Sequence, residues 1–189
     1  MASIISYLAI GTTVLVGASF LLVAILTGVP TLSSTKSEAN AIVALIERMN
    51  LPSGAVIFDL GSGWGALVVA LANAFPDASV RGIEISPFPY MFSRLRAYGL
   101  PNVSLKWGNF FRADLSCADV VTCYLMPAPM SRINSWLDRS LKPGTYVVAN
   151  TFLFRNRTVS ASRLGILRGT IAVYVWPAYQ RIGCIEQEV

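Results

Sequence analysis

Two carboxylates and a run of glycines carry the strongest chemical signal in the chain. Asp59-Leu60-Gly61-Ser62-Gly63-Trp64-Gly65 stands where the apolar run Ala55 to Asp59 gives way to a helical stretch, and Glu84 ends the next apolar run. Glycines at alternate positions let a backbone turn sharply and approach a ligand closely. A dinucleotide site would show G-x-G-x-x-G, with a pyrophosphate over the helix N-terminus. Here the third glycine comes one residue early and an acid precedes the loop, which suits a ligand that offers a cation rather than a phosphate. An acid about twenty residues beyond such a loop, at the end of the second strand, is where Rossmann-type sites accept both ribose hydroxyls. Asp59, the loop and Glu84, in that order and each at a strand end, predict an adenosine-containing cofactor.

The elements that would position these residues follow from the pattern of apolar side chains. Ala41, Ile42, Leu45, Ile46 and Met49 recur at helical spacing, which predicts an amphipathic helix from Ser37 to Asn50. Strands are expected over Ala55 to Asp59, Ser79 to Glu84, Val103 to Trp107, Asp119 to Tyr124 and Thr145 to Thr151. Helices are expected over Trp64 to Phe75, Phe88 to Tyr98 and Met130 to Ser140. Such alternation means a parallel sheet covered on both faces, with ligands beyond the carboxyl ends of its strands. Arg163 to Leu167 and Ile171 to Trp176, with no long helix before them, predict antiparallel strands that finish the sheet.

The N-terminus reads differently. From Ile4 to Val29 no residue is charged, and as a helix this run would be about 39 Å long against a hydrocarbon core of about 30 Å. A cleaved signal peptide would want a basic start and a shorter apolar stretch, so an uncleaved transmembrane helix is the expectation. Lys36 and Arg48, soon after the run, place the following domain in the cytoplasm by the positive-inside tendency, or facing the matrix in an organelle. Ala9, Thr13 and Gly17 put small residues on one face of this helix, where a second copy of the chain could pack to form a homo-oligomer. The expected domains are an anchor over residues 1–30, a linker and helix over 31–52, and an α/β domain over 53–189.

Composition narrows the chemistry further. The 189 residues are 54% hydrophobic and 13% charged, with a net charge of +5 and no histidine. Without histidine, Ser-His-Asp and Cys-His mechanisms are excluded. The three cysteines, Cys117, Cys123 and Cys184, form no CxxC pair, so no metal site is expected and buried reduced thiols are. The basic residues are scattered rather than clustered in a dense run, which argues against nucleic acid as partner.

Further along, Leu141-Lys142-Pro143-Gly144 precedes the fifth strand. With Asp59-Leu60-Gly61-Ser62-Gly63, it resembles the seven-β-strand, class I methyltransferases from about Ser53 to the C-terminus. The apolar anchor, Gly28-Val29-Pro30-Thr31 and the short helix before the glycine loop are similar to the small membrane-anchored protein-lysine methyltransferases. So are Glu84-Ile85-Ser86-Pro87-Phe88, Ser93-Arg94 and Tyr124-Leu125-Met126-Pro127. The resemblance implies a Rossmann-like α/β sheet with helices on both faces, and S-adenosyl-L-methionine as cofactor. It implies that Asp59, Gly61, Ser62, Gly63, Gly65, Glu84, Ile85, Asn109 and Phe110 hold that cofactor. Tyr124 would orient the nucleophile, and Phe154, with Phe152, would wall the pocket. The chain departs from the family at Trp64, where an acid is usual, and at Asn109, near which an Asp is common. An amide still donates to and accepts from an adenine edge.

Three activities fit these residues. One is a lysine methyltransferase whose protein substrate lies in or beside the lipid bilayer. Another is a methyltransferase for a lipid or quinone-like small molecule. The third is a non-catalytic membrane partner that only binds the cofactor. Arg155 and Arg157 are read as solvated, or as contacts to lipid phosphate or an acidic substrate.

Overall fold

The computed structural model describes residues 2–27, 35–123, 130–151, 153–154, 157–164 and 169–179. Helix α1, Ala2–Thr27, precedes an α/β domain. Helix α2, Lys36–Ile46, opens on a reciprocal cap: Thr35 Oγ1 accepts from the Glu38 amide (3.2 Å), and Glu38 Oε2 accepts from the Thr35 amide (2.9 Å). This box satisfies two amides at the helix start and sets it one residue before the expected Ser37.

Strands β1 (Val56–Leu60), β2 (Ser79–Glu84), β3 (Val103–Trp107), β4 (Val120–Cys123) and β5 (Tyr146–Asn150) alternate with helices α3 (Ala66–Ala74), α4 (Pro87–Arg96) and α5 (Met130–Ser140). Strands β6 (Ala161–Leu164) and β7 (Thr170–Val175) complete a seven-stranded sheet of order β3-β2-β1-β4-β5-β7-β6. The first five strands pair in parallel; β7 is antiparallel to β5 and to β6. The strand order reverses between β1 and β4, so the crevice for a ligand lies at their carboxyl ends, where Asp59 and Glu84 stand.

Each sheet face carries its own core. Ile42, Ile46, Leu67 and Leu71 from α2 and α3 cover Ile57, Val80, Val120 and Val148 on one face. Ile133, Trp136 and Leu137 from α5 cover Phe58, Leu60, Val121 and Val147 on the other. Successive strand residues point to opposite faces, so a sheet buried on both sides needs unbroken apolar strands. The burial of Ile57 through Leu60 and of Val120 through Cys123 follows from this.

Several boundaries differ from the sequence expectation for local reasons. Helix α3 starts at Ala66 rather than Trp64, because Gly61, Gly63 and Gly65 hold positive φ and the loop cannot be helical. Helix α4 begins at Pro87, whose missing amide costs nothing in a first turn. The β6 strand lies at Ala161–Leu164 rather than Arg163–Leu167. The motif Leu141-Lys142-Pro143-Gly144 serves the fold: Lys142 Nζ pairs with Asp119 (2.7 Å), and Gly144, at φ 90°, donates its amide to Trp176 O. Arg157 is buried rather than solvated. Its guanidinium lies 4.5 Å from the Trp176 ring and 4.4 Å from the Tyr179 ring, and bonds Asp138 (2.7 Å), Asn134 and Pro177 O. Cys123 is buried as expected, but Cys117 is exposed.

The predicted N-terminal helix is present as α1, with Ile4, Tyr7, Leu8 and Val14 all more than half exposed. Among the described residues, however, no helix is long and apolar enough to cross a membrane. The side chains of α1 beyond Ala18 lie outside the described residues, as do Gly28 to Thr31.

Leu71 is fully buried between α3 and the sheet. Leu71→Ala is expected to lower the unfolding free energy by about 2–5 kcal/mol, the range for emptying a packed leucine site. Urea titration would show a lower midpoint with an unchanged slope.

Candidate active site

The glycine loop is held shut by one side chain. Glu84 Oε2 accepts the amide of Gly63 (2.8 Å), and its Oε1 accepts the amide of Ser86 (2.8 Å). Both donors are backbone groups, so the carboxylate ties the loop after β1 to the turn after β2. Ile83 O adds a second tie by accepting from the amides of Gly61 (2.9 Å) and Ser62 (3.1 Å). The loop then turns into α3 at Gly65. This residue has φ +79°, and a Cβ there would lie 2.8 Å from Ser93 Cβ and 3.0 Å from its Cα. Only glycine lets α4 approach the loop so closely. Gly82 does similar work in β2: a Cβ there would meet Leu105 at 2.6 Å and Ser62 at 3.0 Å.

Asp59 is buried near the carboxyl end of β1. Its Oδ1 accepts from Thr122 Oγ1 (2.8 Å) on the adjoining strand. Burial pushes its pKa up to about 7; the Thr122 hydrogen bond opposes this shift and the nearby Glu84 charge adds to it. Asp59 and Glu84 stand near the carboxyl ends of the paired strands β1 and β2. Next to Asp59, burial and the Asp59 charge push the Cys123 thiol up to about 12, so Cys123 is no nucleophile at neutral pH.

This arrangement of acids and glycines coincides with a known family. Residues 59–161 match the family model described as the ANTKMT methyltransferase domain. The chain belongs to this family. It is a methyltransferase that depends on S-adenosyl-L-methionine. A curated relative, a protein-lysine N-methyltransferase of Saccharolobus islandicus (strain REY15A), is 27% identical over 153 residues, covering 78% of this chain and 95% of the relative. An RNA methyltransferase from Salinibacter ruber, solved with S-adenosyl-L-homocysteine, superposes with a TM-score of 0.70 at 27% identity, over 80% of this chain and 98% of that one. A precorrin-6y C5,15-methyltransferase from Geobacter metallireducens GS-15 has a TM-score of 0.57 at 17% identity, over 77% and 93%, and shares the fold.

The residues of the enzyme fit the cofactor. Ser62 Oγ is buried in the loop with no hydrogen-bond partner, and a carboxyl group lies at each side of the loop. A buried carboxylate favours a cationic sulfonium or ammonium, and an orphaned hydroxyl favours a polar ligand. Among the described residues no cluster of His, Cys, Asp or Glu would hold a metal ion.

The remaining predicted residues divide. Ile85 is exposed beyond β2, and its carbonyl accepts from Trp107 Nε1 (2.8 Å). Asn109 caps the short 3-10 turn Phe110–Arg112 by accepting the Phe111 amide (3.0 Å), so its amide oxygen is already engaged. Phe110 stacks on Phe111 (4.6 Å) and Trp136 (5.7 Å). Trp64 lies with its ring 5.1 Å from that of Phe92 on α4. Phe154 was expected to wall the pocket. Instead it is buried edge-on against Tyr174 and Trp176, both at 5.4 Å, in the core on the α5 side of the sheet. A ring so enclosed has no surface left for a substrate. Tyr124, the motif through Pro127, Phe152 and Arg155 lie outside the described residues.

Sequence reasoning missed Thr122 and Asn150. Thr122 reads as one more residue in an apolar strand, and only the register of β4 against β1 brings it to Asp59. Ser93, named in the sequence only within the family resemblance, gains a structural role where Gly65 packs on it. Asn150 ends β5 buried, with its Nδ2 lacking a partner, beside Thr151 at φ 71°. A polar residue closing an apolar strand was the available signal.

Two outcomes follow from this geometry. Gly65→Ala combines positive φ with a backbone clash and is expected to cost about 3 kcal/mol. Calorimetry would show weakened cofactor binding as α4 is pushed away. Asp59 has a folded pKa above its unfolded value, so it favours the folded state most at low pH. That contribution is lost as pH rises through about 7. Melting of the unliganded enzyme is expected to show this fall between about pH 4 and 7, and Asp59→Asn to remove it.

Proposed function

We propose that the enzyme is a protein-lysine N-methyltransferase, held at a membrane by α1 and acting on a membrane-associated protein. The observation that carries the acceptor is the family match over residues 59–161, together with the curated relative named for protein-lysine N-methylation. The membrane reading rests on the uncharged run Ile4 to Val29 and on the exposed apolar side chains of α1. The α1 threonines support it: Thr12 and Thr13 each donate their hydroxyl to the carbonyl four residues back, Leu8 O (2.8 Å) and Ala9 O (2.9 Å). Hydroxyls satisfied in this way can enter hydrocarbon without an unpaired group. Basic Lys36 and Arg48 after the helix favour a cytoplasmic or matrix-facing domain. The small residues Ala9, Thr13 and Gly17 offer a face for self-association.

The cofactor supplies an electrophilic methyl group on a positively charged sulfur. The chain's part is to bind, orient and dry the site. Asp59, ionised, offers its charge to the cationic end of the ligand. Glu84 keeps the loop closed, and the lone pairs not used by Gly63 and Ser86 remain for ribose hydroxyls. A lysine amine has a reference pKa of about 10.4 and must shed a proton before it can attack. A desolvated pocket favours its neutral form. Alignment and exclusion of water, rather than charge trapping, are the main devices for a transfer whose leaving group becomes neutral. Tyr124, the next residue in sequence after β4, is assigned the orienting role.

The Salinibacter neighbour is named an RNA methyltransferase, which makes RNA the second acceptor to test. The purified enzyme would be incubated with methyl-labelled cofactor and membranes, and the products separated. Counts that withstand RNase and organic extraction, and that appear as methylated lysine after hydrolysis, are the expected result. Counts that follow RNA or partition into the organic phase would overturn the lysine assignment.

A further inference from the structure

We propose that the outer face of α4 is a second membrane contact, a basic apolar surface that rests on anionic lipid; this deepens the membrane reading and rests on it. The sequence from Ile85 to Ala113 contains Arg94, Arg96, Lys106 and Arg112 and no Asp or Glu. Within it, α4 packs inward through Pro89 and Ser93, with Ala97 just beyond its end. At about 100° per residue, Met91 and Leu95 fall on the opposite side, and Tyr98 follows in the turn just beyond the helix. The three are 56%, 69% and 90% exposed, on a domain whose other large apolar side chains are mostly packed.

The arginines flank this stripe. Arg94 lines a groove of about 400 Å³ with Tyr98, Ser104 and Leu105 on one side. On the other, Arg96 lines a groove of about 610 Å³ with Lys36, Asn40 and Val69. Among the described residues, no acid lines either groove. An apolar ridge between two cationic grooves is how an interfacial helix sits: the ridge enters the headgroup boundary, and the guanidinium groups reach phosphates at its rims. Lys36 ties this surface to the anchor. It follows the α2 cap at Thr35, and the chain from the end of α1 at Thr27 to that cap spans at most about 28 Å. The Arg96 groove therefore lies where a bilayer crossed by α1 would come close.

Lipid fits this surface better than RNA or a protein does. Of the three, only Tyr98 offers a ring on which a base could stack; Met91 and Leu95 offer aliphatic surface, which suits acyl chains. The ridge is exposed and rimmed by like charge, which suits a yielding anionic plane more than a matched protein pocket. Phe92, beside the ridge on α4, packs against Trp64 of the glycine loop.

The test uses the full chain with a photoreactive benzoylphenylalanine at position 95, reconstituted in vesicles of phosphatidylcholine with or without phosphatidylglycerol, with added RNA. A control carries the same group at exposed Ser116, beside the amino end of β4. Expected are lipid adducts from position 95 and not from 116, in higher yield with phosphatidylglycerol. R94Q and R96Q should each lower that yield by about five-fold, the order expected for one basic group at an anionic surface. Equal yields from the two vesicle types, adducts to RNA, chain-to-chain crosslinks, or no adduct at 95 would overturn the proposal. Alkaline extraction of the same vesicles reads the anchor separately. A chain that resists extraction but gives no adduct sinks the α4 contact alone. A chain that is stripped sinks the anchor, while adducts formed before stripping still report on α4. Unchanged circular dichroism and cofactor binding confirm that the variants fold.

Discussion

The site depends on one buried carboxylate bonded to backbone. Glu84 receives the amides of Gly63 and Ser86, which belong to turns after different strands. Neither amide lies in a strand or helix ladder that would otherwise satisfy it, and a buried donor left unpaired costs about 1–3 kcal/mol. Charge-assisted bonds to a fixed acceptor meet that demand and set the distance between the two turns. The same side chain thus shapes the loop and keeps accepting capacity to spare, because each carboxylate oxygen can accept more than one hydrogen bond.

Around that tie, the crevice is tuned by burial more than by charge pairing. Asp59 has no cationic partner among the described hydrogen bonds and ion pairs; its one described side-chain bond comes from Thr122. A carboxyl group so placed is half protonated near neutral pH, and a cationic ligand draws it to the ionised form. The neighbouring Cys123 is held as a thiol by the same low-dielectric surroundings. The site is therefore ready for a cation and offers no nucleophile of its own from this cysteine. That agrees with a reaction in which the acceptor brings the nucleophile and the protein contributes placement.

Much of the framework supports this crevice from a distance. Gly65 allows α4 to lie on the loop, and α4 in turn presents its arginine-flanked ridge outward. The Arg157 cluster binds the chain after β5 to α5, through Asp138 and Asn134, and to the end of β7. The antiparallel β7 then closes the sheet beside β5. Cofactor loop, outer surface and sheet edge are linked by contacts that no short segment contains.

The strand–helix alternation, the parallel sheet, the glycine loop and the pair of acids were legible in the chain, because each is a local pattern. Apolar runs of strand length, a helical period of about 3.6 and glycines at alternate positions express backbone physics within a few residues. The boundaries of β2, β3 and α5 were readable for the same reason. What lay beyond reach was decided by register and packing. Phe154 looked like a pocket wall and is a core ring, because Tyr174 and Trp176, twenty or more residues away, close over it. Arg157 looked solvated and is enclosed by Asp138 and Asn134 from α5 and by the Trp176 and Tyr179 rings at the end of the sheet. Thr122 became a partner of Asp59 only when β4 paired beside β1. Composition and spacing determined which ligand the chain is built to hold. Tertiary structure decided which side chains reach it, since burial, hydrogen-bond partners and acidity belong to neighbours that only folding brings together.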